Sequence, residues 1–113
     1  MSEHNEQVAL FKWVELSGIP ELKLLHAVPN GGKRDIVTAI KLRNEGVKPG
    51  VPDMFLPVAR NGWHGLFIEM KTEEGRLSPL QKEWIAELEK QGYFVAVCRG
   101  WEMAKETLKE YLG

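Results

Sequence analysis

The sequence predicts a single α/β domain in which a mixed β-sheet is flanked by helices. The chain of 113 residues is 43% hydrophobic, which suits one domain with a hydrophobic core and is too short for two. Segments with helical spacing of apolar residues alternate with short apolar runs that are typical of strands. Two of these runs are joined by a loop that contains an Asn-Gly dipeptide, which indicates a β-hairpin. The predicted order is helix, strand, helix, strand, strand, helix, strand, helix, and one domain covers residues 1–113.

The composition excludes several classes of protein. Cys98 is the only cysteine, so no disulfide can form within the chain, and the three scattered histidines lack the spacing of a zinc site. No segment is apolar for long enough to span a membrane, and the first residues are polar and charged, unlike a secretion signal. These features predict a cytoplasmic protein without a membrane span. The formal net charge of -1 leaves a nucleic-acid partner open, because phosphate binding needs only a local basic patch.

The first helix is predicted from about Glu3 to Leu16, where apolar residues recur at helical spacing before Ser17-Gly18 ends it. Glu6 lies one turn before Leu10 and therefore projects along the face that turns inward. Its spacing favours a structural acid that interacts with the helix macrodipole. The inward direction leaves a functional acid as the alternative.

A short strand is predicted from Lys23 to Val28, and it ends at the turn Asn30-Gly31-Gly32. A second helix is predicted from about Lys33 to Asn44. This part of the chain is the most basic, and its cations are Lys33, Arg34, Lys41, Arg43 and Lys48. Such a cluster is either a solvated face or a surface that contacts nucleic acid, and the sequence alone does not decide between them.

The two strands of the hairpin carry charges where buried strands should have none. The first run is Gly50–Leu56 and the second is Gly65–Lys71. Because side chains alternate along a strand, Glu69 and Lys71 share one face, while Asp53 opens the neighbouring strand. Two carboxylates and a lysine can therefore converge, which predicts a site for a hard cation beside a fixed positive charge.

A third helix is predicted to begin with Ser78 as N-cap, Pro79 at the first position and Gln81 in a capping box, and to end at Gly92. Its predicted buried stripe consists of Leu80, Trp84, Ile85 and Leu88. The uninterrupted apolar run Tyr93–Cys98 is typical of a strand that is covered on both faces. The last helix, from about Trp101 to Leu112, is predicted to bury Trp101, Ala104, Leu108 and Leu112.

The hairpin residues resemble a known nuclease signature. Pro52-Asp53 followed by Glu69-Met70-Lys71 is similar to the motif of the PD-(D/E)xK nuclease superfamily. This motif alone is a weak signal, but further matches in order along nearly the whole chain resemble the virus-type replication-repair nuclease (VRR-NUC) family specifically. They are Gly50-Val51-Pro52-Asp53, Gly65-Leu66-Phe67-Ile68-Glu69-Met70-Lys71-Thr72, Gly75-Arg76-Leu77-Ser78 with Gln81, and Gly92-Tyr93.

The resemblance implies a restriction-endonuclease-like core with a metal-dependent active site on the hairpin. Asp53 and Glu69 would be carboxylate ligands of Mg²⁺ or Mn²⁺, and the backbone carbonyl of Met70 would add a further oxygen ligand. Lys71 would lie beside the scissile phosphate and stabilise the charge that develops there.

The resemblance also implies roles for two residues outside the hairpin. Glu6 matches the family's further acidic position, which reverses the preference for a structural acid and makes Glu6 a candidate metal ligand. Gln81 matches the family's helix glutamine, which would orient the lysine, the water or a phosphate. For Gln81 the structural role in the capping box and the role in the site are both retained.

The activity implied by the resemblance is metal-dependent hydrolysis of DNA by an endonuclease. Short family members suggest a homodimer from a bacterial or virus-infected cell that acts on branched DNA such as four-way (Holliday) junctions. Lys33, Arg34 and Arg43 are the candidate residues for contact with DNA or with a second subunit. Two alternatives are a module of the same fold that binds nucleic acid without cutting it, and an interaction protein in which Glu69 and Lys71 form an edge-strand ion pair.

Overall fold

The computed structural model describes residues 1–29 and 35–113, and the strands in this part of the chain form one mixed sheet. The strands are β1 (His26–Ala27), β2 (Met54–Leu56), β3 (Leu66–Lys71) and β4 (Phe94–Arg99). They lie side by side in the order β1-β2-β3-β4. The first three are antiparallel neighbours, whereas β4 runs parallel to β3. The predicted mixed sheet is therefore confirmed.

Helices flank this sheet. They are α1 (Glu3–Ser17), α2 (Ile36–Asn44), α3 (Pro79–Lys90) and α4 (Trp101–Leu112). Helices α1 and α4 pack against each other and against β3, while α3 contacts β4. In the part of the chain that the structure describes, none of the helices has the length and apolar character needed to cross a bilayer.

The core lies between the sheet and the α1–α4 pair. Leu66, Ile68 and Met70 of β3 are fully buried and join Leu10 of α1 and Leu108 of α4 in one cluster. Burial of each of these side chains stabilises the fold by roughly 1.5–3 kcal/mol. This packing fixes β3 as the most buried strand, and its opposite face carries the charged residues.

Local signals in the sequence set the ends of several elements as predicted. Gly18 ends α1 with a φ of 70°, and Ser78 begins α3 with a complete capping box. Asn61 and Gly62 have φ values of 51° and 84°, as a type I′ turn requires at both central residues. The hairpin between β2 and β3 is therefore confirmed.

Two boundaries near the start of the sheet differ from the prediction. Lys23 and Leu24 belong to a 3₁₀ helix, Pro20–Leu24, so the predicted strand from Lys23 is wrong and β1 contains only two residues. Pro20 begins this helix with a φ angle that suits it, and the Leu22 and Leu25 N–H groups make i→i+3 bonds. The second helix begins at Ile36, with Asp35 as N-cap, and its predicted start at Lys33 lies outside the described residues.

One predicted core contact is also wrong. Leu80 was expected in the buried stripe of α3 but is 47% exposed, whereas Trp84, Ile85 and Leu88 are half-buried. Leu80 lies in the first turn of α3, where both its backbone and its Cβ face Gly50.

Gly50 lets the segment that leads into the hairpin pack closely against α3. Its φ is 97°, and a Cβ at this position would lie 2.8 Å from Cδ1 of Trp84 and 3.0 Å from the backbone of Leu80. Only glycine combines this backbone conformation with such a close contact. The contact places the segment that leads to Asp53 directly against the helix that carries Gln81.

Candidate active site

Glu69 and Lys71 lie inside the sheet. Strand β3 has β2 on one side and β4 on the other, and within it Glu69 is 2% exposed and Lys71 is 9% exposed. The interpretation of these residues as an edge-strand ion pair is therefore wrong. Burying a carboxylate and an ammonium costs free energy unless other groups compensate them, so the neighbouring residues decide what this pair can do.

Asp53 is held next to Glu69 by both of its neighbouring strands. It directly precedes β2, and its carboxylate Oδ2 accepts a hydrogen bond of 2.7 Å from the backbone N–H of Met70 in β3. Its backbone carbonyl accepts a bond of 2.8 Å from the N–H of Val28, which follows β1. These bonds fix the Asp53 carboxylate at the end of the β2–β3 ladder, beside Glu69, as the sequence predicted for two neighbouring strands of one hairpin.

The two carboxyl groups strongly influence each other. The pKa of Glu69 is raised from 4.5 to about 8, first because burial removes water from its carboxylate and second because the charged Asp53 is adjacent and hydrogen-bonded to it. Lys71 acts in the opposite direction, with its Nζ 4.0 Å from Oε2 of Glu69. The single lysine does not balance the pair, so the site favours an added positive charge.

Gln81 links this site to the start of α3. Its side-chain oxygen accepts a 2.9 Å hydrogen bond from the backbone N–H of Ser78, which completes the capping box. Its Nε2 donates a 3.2 Å hydrogen bond to Oε2 of Glu69. The same side chain therefore caps the helix as predicted and also orients the carboxylate of Glu69, whereas the resemblance had implied the lysine, the water or a phosphate as its partner.

Glu6 has a structural partner that the sequence did not indicate. Its Oε1 accepts a 2.8 Å hydrogen bond from the backbone N–H of Trp101, in the first turn of α4. Gly100, the N-cap of α4, offers no side chain for this purpose. Glu6 therefore caps the positive end of α4 rather than that of its own helix.

Comparison with known proteins agrees with this arrangement. The family model of the VRR-NUC domain matches residues 2–102. The chain belongs to the VRR-NUC family. A solved structure of a VRR_NUC domain protein is 30% identical to the chain, with a TM-score of 0.83, and the match covers 99% of this chain and 88% of the other. A search of curated proteins gives no significant match. VRR-NUC is a nuclease-type family, which indicates DNA as the partner.

The VRR-NUC site offers the oxygen donors that Mg²⁺ or Mn²⁺ prefers. Asp53 and Glu69 supply adjacent carboxylates, and the backbone carbonyl of Met70 lies between Glu69 and Lys71 in the chain. In residues 1–29 and 35–113, no three His, Cys, Asp or Glu side chains converge as a metal-binding group. The donor set fits a hard cation held by two carboxylates and further oxygens, and Glu6 does not form a third close member.

A cavity of about 470 Å³ opens beside the VRR-NUC site. Glu6 and Lys71 line it together with the loop that follows β3 and with Arg99, so Glu6 is near the lysine although it binds α4. Arg43 is exposed on α2 and does not line this cavity. Lys33 and Arg34, the other two candidates for contact with DNA, lie outside the described residues.

Two charged residues near this VRR-NUC site were not predicted. Glu3, an exposed residue of α1, adds to the negative charge that raises the pKa of Glu69. Its position one turn before Glu6 was an available signal, because residues three apart share a helix face. Arg99 is the last residue of β4 and lies next to Lys71, the last residue of β3. Its position at the carboxyl end of a parallel strand was a signal that could have placed it near the site.

Proposed function

We propose that this VRR-NUC domain is an endonuclease that hydrolyses phosphodiester bonds of DNA with Mg²⁺ or Mn²⁺. The observation that carries the proposal is the buried pair of Glu69 and Lys71 on the central strand β3, with the half-buried carboxylate of Asp53 directly beside Glu69. A buried glutamate next to a second carboxylate, with one lysine, costs folding free energy, and binding of a cation and a phosphate accounts for a site built at that cost.

Asp53, Glu69 and the Met70 carbonyl are the residues that would hold the cation. When bound, the cation supplies a Lewis acid for the phosphate and lowers the pKa of water. The bonds from Met70 N–H to Asp53 and from Gln81 to Glu69 orient the two carboxylates before DNA binds. Glu69 must lose its proton to become a ligand, and the ammonium of Lys71 favours the charged form.

Lys71 would act on the phosphate itself. Its ammonium lies within 4.0 Å of Glu69 and lines the open cavity, so it can approach a phosphate that enters there. The charge on the nonbridging oxygens increases in the transition state, and a buried ammonium stabilises it more strongly than a solvated one. Hydrolysis then breaks one P–O bond, with water as the nucleophile and a sugar oxygen as the leaving group.

We further propose branched DNA as the substrate and a homodimer as the active form. Helix α2 supports the dimer, because Ile36 and Val37 are each 77% exposed and Ile40 is 49% exposed, and none of its described residues is buried. A two-fold dimer can place one site on each of two symmetric strands. Lys33, Arg34 and Arg43 remain the candidate contacts to DNA.

The test compares cleavage of labelled four-way, flapped, linear and single-stranded DNA in Mg²⁺ or Mn²⁺. Glu69→Ala and Lys71→Ala are expected to lower cleavage at least about 100-fold. Glu87→Ala and Lys90→Ala are matched controls, because they remove the same residue types from an exposed ion pair of 2.8 Å on α3, and they are expected to cut at the wild-type rate. A size measurement of the same samples tests the dimer.

The outcomes separate the alternatives. Equal cleavage by all variants contradicts the assignment of Glu69 and Lys71. Tight binding of DNA with no product in either metal indicates a binding module instead of a nuclease. Faster cleavage of linear DNA than of four-way DNA contradicts the proposed substrate while leaving the chemistry intact.

A further inference from the structure

Arg99 lies beside Lys71, where strands β3 and β4 both end. The two residues are partners in the parallel ladder between β3 and β4, so their side chains point to the same face. Arg99 is half-buried and lines the same cavity of about 470 Å³ as Lys71. Arg99 therefore lies next to the proposed active site, on the side of Lys71.

The guanidinium group of Arg99 binds the loop that directly follows Lys71. Its Nη1 donates hydrogen bonds to the carbonyl oxygens of Thr72 at 2.7 Å, Gly75 at 2.6 Å and Glu73 at 3.2 Å. Three backbone acceptors thus converge on one charged nitrogen, and bonds from a charged donor are stronger than those between neutral groups. Arg99 fixes the loop of residues 72–75 in one conformation.

This loop in turn packs on the side chain of Lys71. A Cβ at Gly75 would lie 3.3 Å from Cδ of Lys71 and 3.1 Å from Oγ1 of Thr72. The backbone of Gly75 therefore lies close beside the aliphatic part of the lysine, with no room for a side chain between them. The contacts form a continuous connection from Arg99 through the loop to the ammonium that is proposed to act on the phosphate.

We propose that Arg99 is a positioning residue, which holds the loop of residues 72–75 against Lys71 and so fixes the lysine in the cleft. This inference rests on the proposed function, because it concerns cleavage that depends on Lys71. Loss of a fixed position for a group that stabilises the transition state lowers kcat more than it changes substrate binding. Arg99 need not contact DNA for this role.

The test compares Arg99→Met and Arg99→Lys with wild type in steady-state and single-turnover cleavage of labelled DNA. Arg99→Met is expected to lower kcat about 10- to 100-fold and to change KM less than about twofold. Arg99→Lys is expected to retain most of kcat, because an ammonium can donate to the same carbonyl oxygens. Arg60→Met is the matched control, since Arg60 pairs with Glu21 and does not line the cavity, and it is expected to leave kcat unchanged.

A second arm tests whether Arg99 acts through the lysine. In a Lys71→Ala background, Arg99→Met is expected to lower the residual cleavage less than about twofold, because the group that it positions is absent. A general structural role would lower cleavage equally in both backgrounds and would overturn the inference. A rise in KM at unchanged kcat would also overturn it, because it would mean that Arg99 binds DNA.

A third arm does not depend on cleavage. Amide hydrogen exchange of residues 72–76 is expected to be at least about tenfold faster in Arg99→Met than in wild type, with unchanged exchange in α4. Unchanged exchange in the loop would contradict the proposal that Arg99 holds the loop in place. If wild type cuts no DNA, the proposed function is wrong. If wild type and Arg99→Met cut DNA equally well, only the inference about Arg99 is wrong.

Discussion

Replacement of Glu69 by glutamine is expected to stabilise the metal-free protein near neutral pH, although the change removes a proposed metal ligand. The folded protein raises the pKa of Glu69 from 4.5 to about 8, because the carboxyl group is buried beside Asp53. The folded state therefore binds this proton more tightly than the unfolded state. Between pH 4.5 and 8 the free energy of unfolding falls as pH rises, and above about pH 8 it no longer changes on account of this group.

The magnitude follows from the same shift. Each pH unit above 4.5 lowers the free energy of unfolding by about 1.4 kcal/mol until the folded-state pKa is reached, so the cost at pH 7 is about 3 kcal/mol. Glutamine is neutral in both states and has nearly the same shape. Its amide oxygen can still accept the bond from Gln81, and its N–H can donate to Asp53. Glu69→Gln therefore removes the cost and keeps the packing.

The assay is urea and thermal unfolding of wild type and Glu69→Gln in EDTA at pH 5, 6, 7 and 8. The difference in the free energy of unfolding is expected to be below about 1 kcal/mol at pH 5 and about 3 kcal/mol in favour of Glu69→Gln at pH 7. The difference at pH 7 corresponds to a rise in Tm of roughly 10 °C for a domain of this size. Glu83→Gln, on the exposed face of α3, is the control and is expected to give a difference that does not depend on pH. A difference for Glu69→Gln that is constant with pH, or that grows as pH falls, refutes the reasoning.

Three further predictions concern the metal, a glycine and the acid of α1. Binding of Mn²⁺ in calorimetry should strengthen by up to about tenfold per pH unit between pH 6 and 8, because the proton of Glu69 must leave; affinity that is independent of pH contradicts this. Gly50→Ala should lower the free energy of unfolding by about 2–4 kcal/mol in urea, since the φ of 97° and the contact with Trp84 both oppose a Cβ. Gly62→Ala, with a φ of 84° and open space around it, should cost only about 1 kcal/mol, and equal losses would exclude the contact as the cause. Glu6→Ala should cost about 1 kcal/mol through loss of the cap on α4, and unchanged hydrogen exchange at Trp101 would contradict that role.

The hairpin was predictable because its signals are local. Asn61 and Gly62 specify the turn. The alternation of side chains along a strand places Glu69 and Lys71 on one face, and this does not depend on the rest of the fold. Charges within an apolar run then mark the site, because a buried strand normally excludes them. The start of α3 was predictable for the same reason, since Ser78 and Gln81 lie within one helical turn.

Other boundaries were not predictable from local signals. The run from Lys23 has the composition of a strand, but Pro20 and a pair of i→i+3 bonds draw its first residues into a 3₁₀ helix. Leu80 fits the apolar stripe of α3 by spacing, yet it lies in the first turn of the helix, where its backbone and Cβ lie against Gly50 and the residue is 47% exposed. In the first case two local preferences compete and the 3₁₀ helix prevails, whereas in the second case the packing at the start of α3 decides the exposure of Leu80.

The sequence by itself determined the order of elements, the hairpin and the identity of the acids and the lysine, because period, turn chemistry and residue type act over a few positions. The tertiary structure alone decided which partners these residues have. Glu6 binds the N–H of Trp101, which is 95 positions away, and Arg99 reaches a loop 24 to 27 positions before it. Such contacts depend on how the helices pack on the sheet. No spacing in the chain encodes that packing. It brings residues from other elements to the predicted ion-binding hairpin, where Gln81 binds Glu69 and Arg99 binds the loop that follows Lys71.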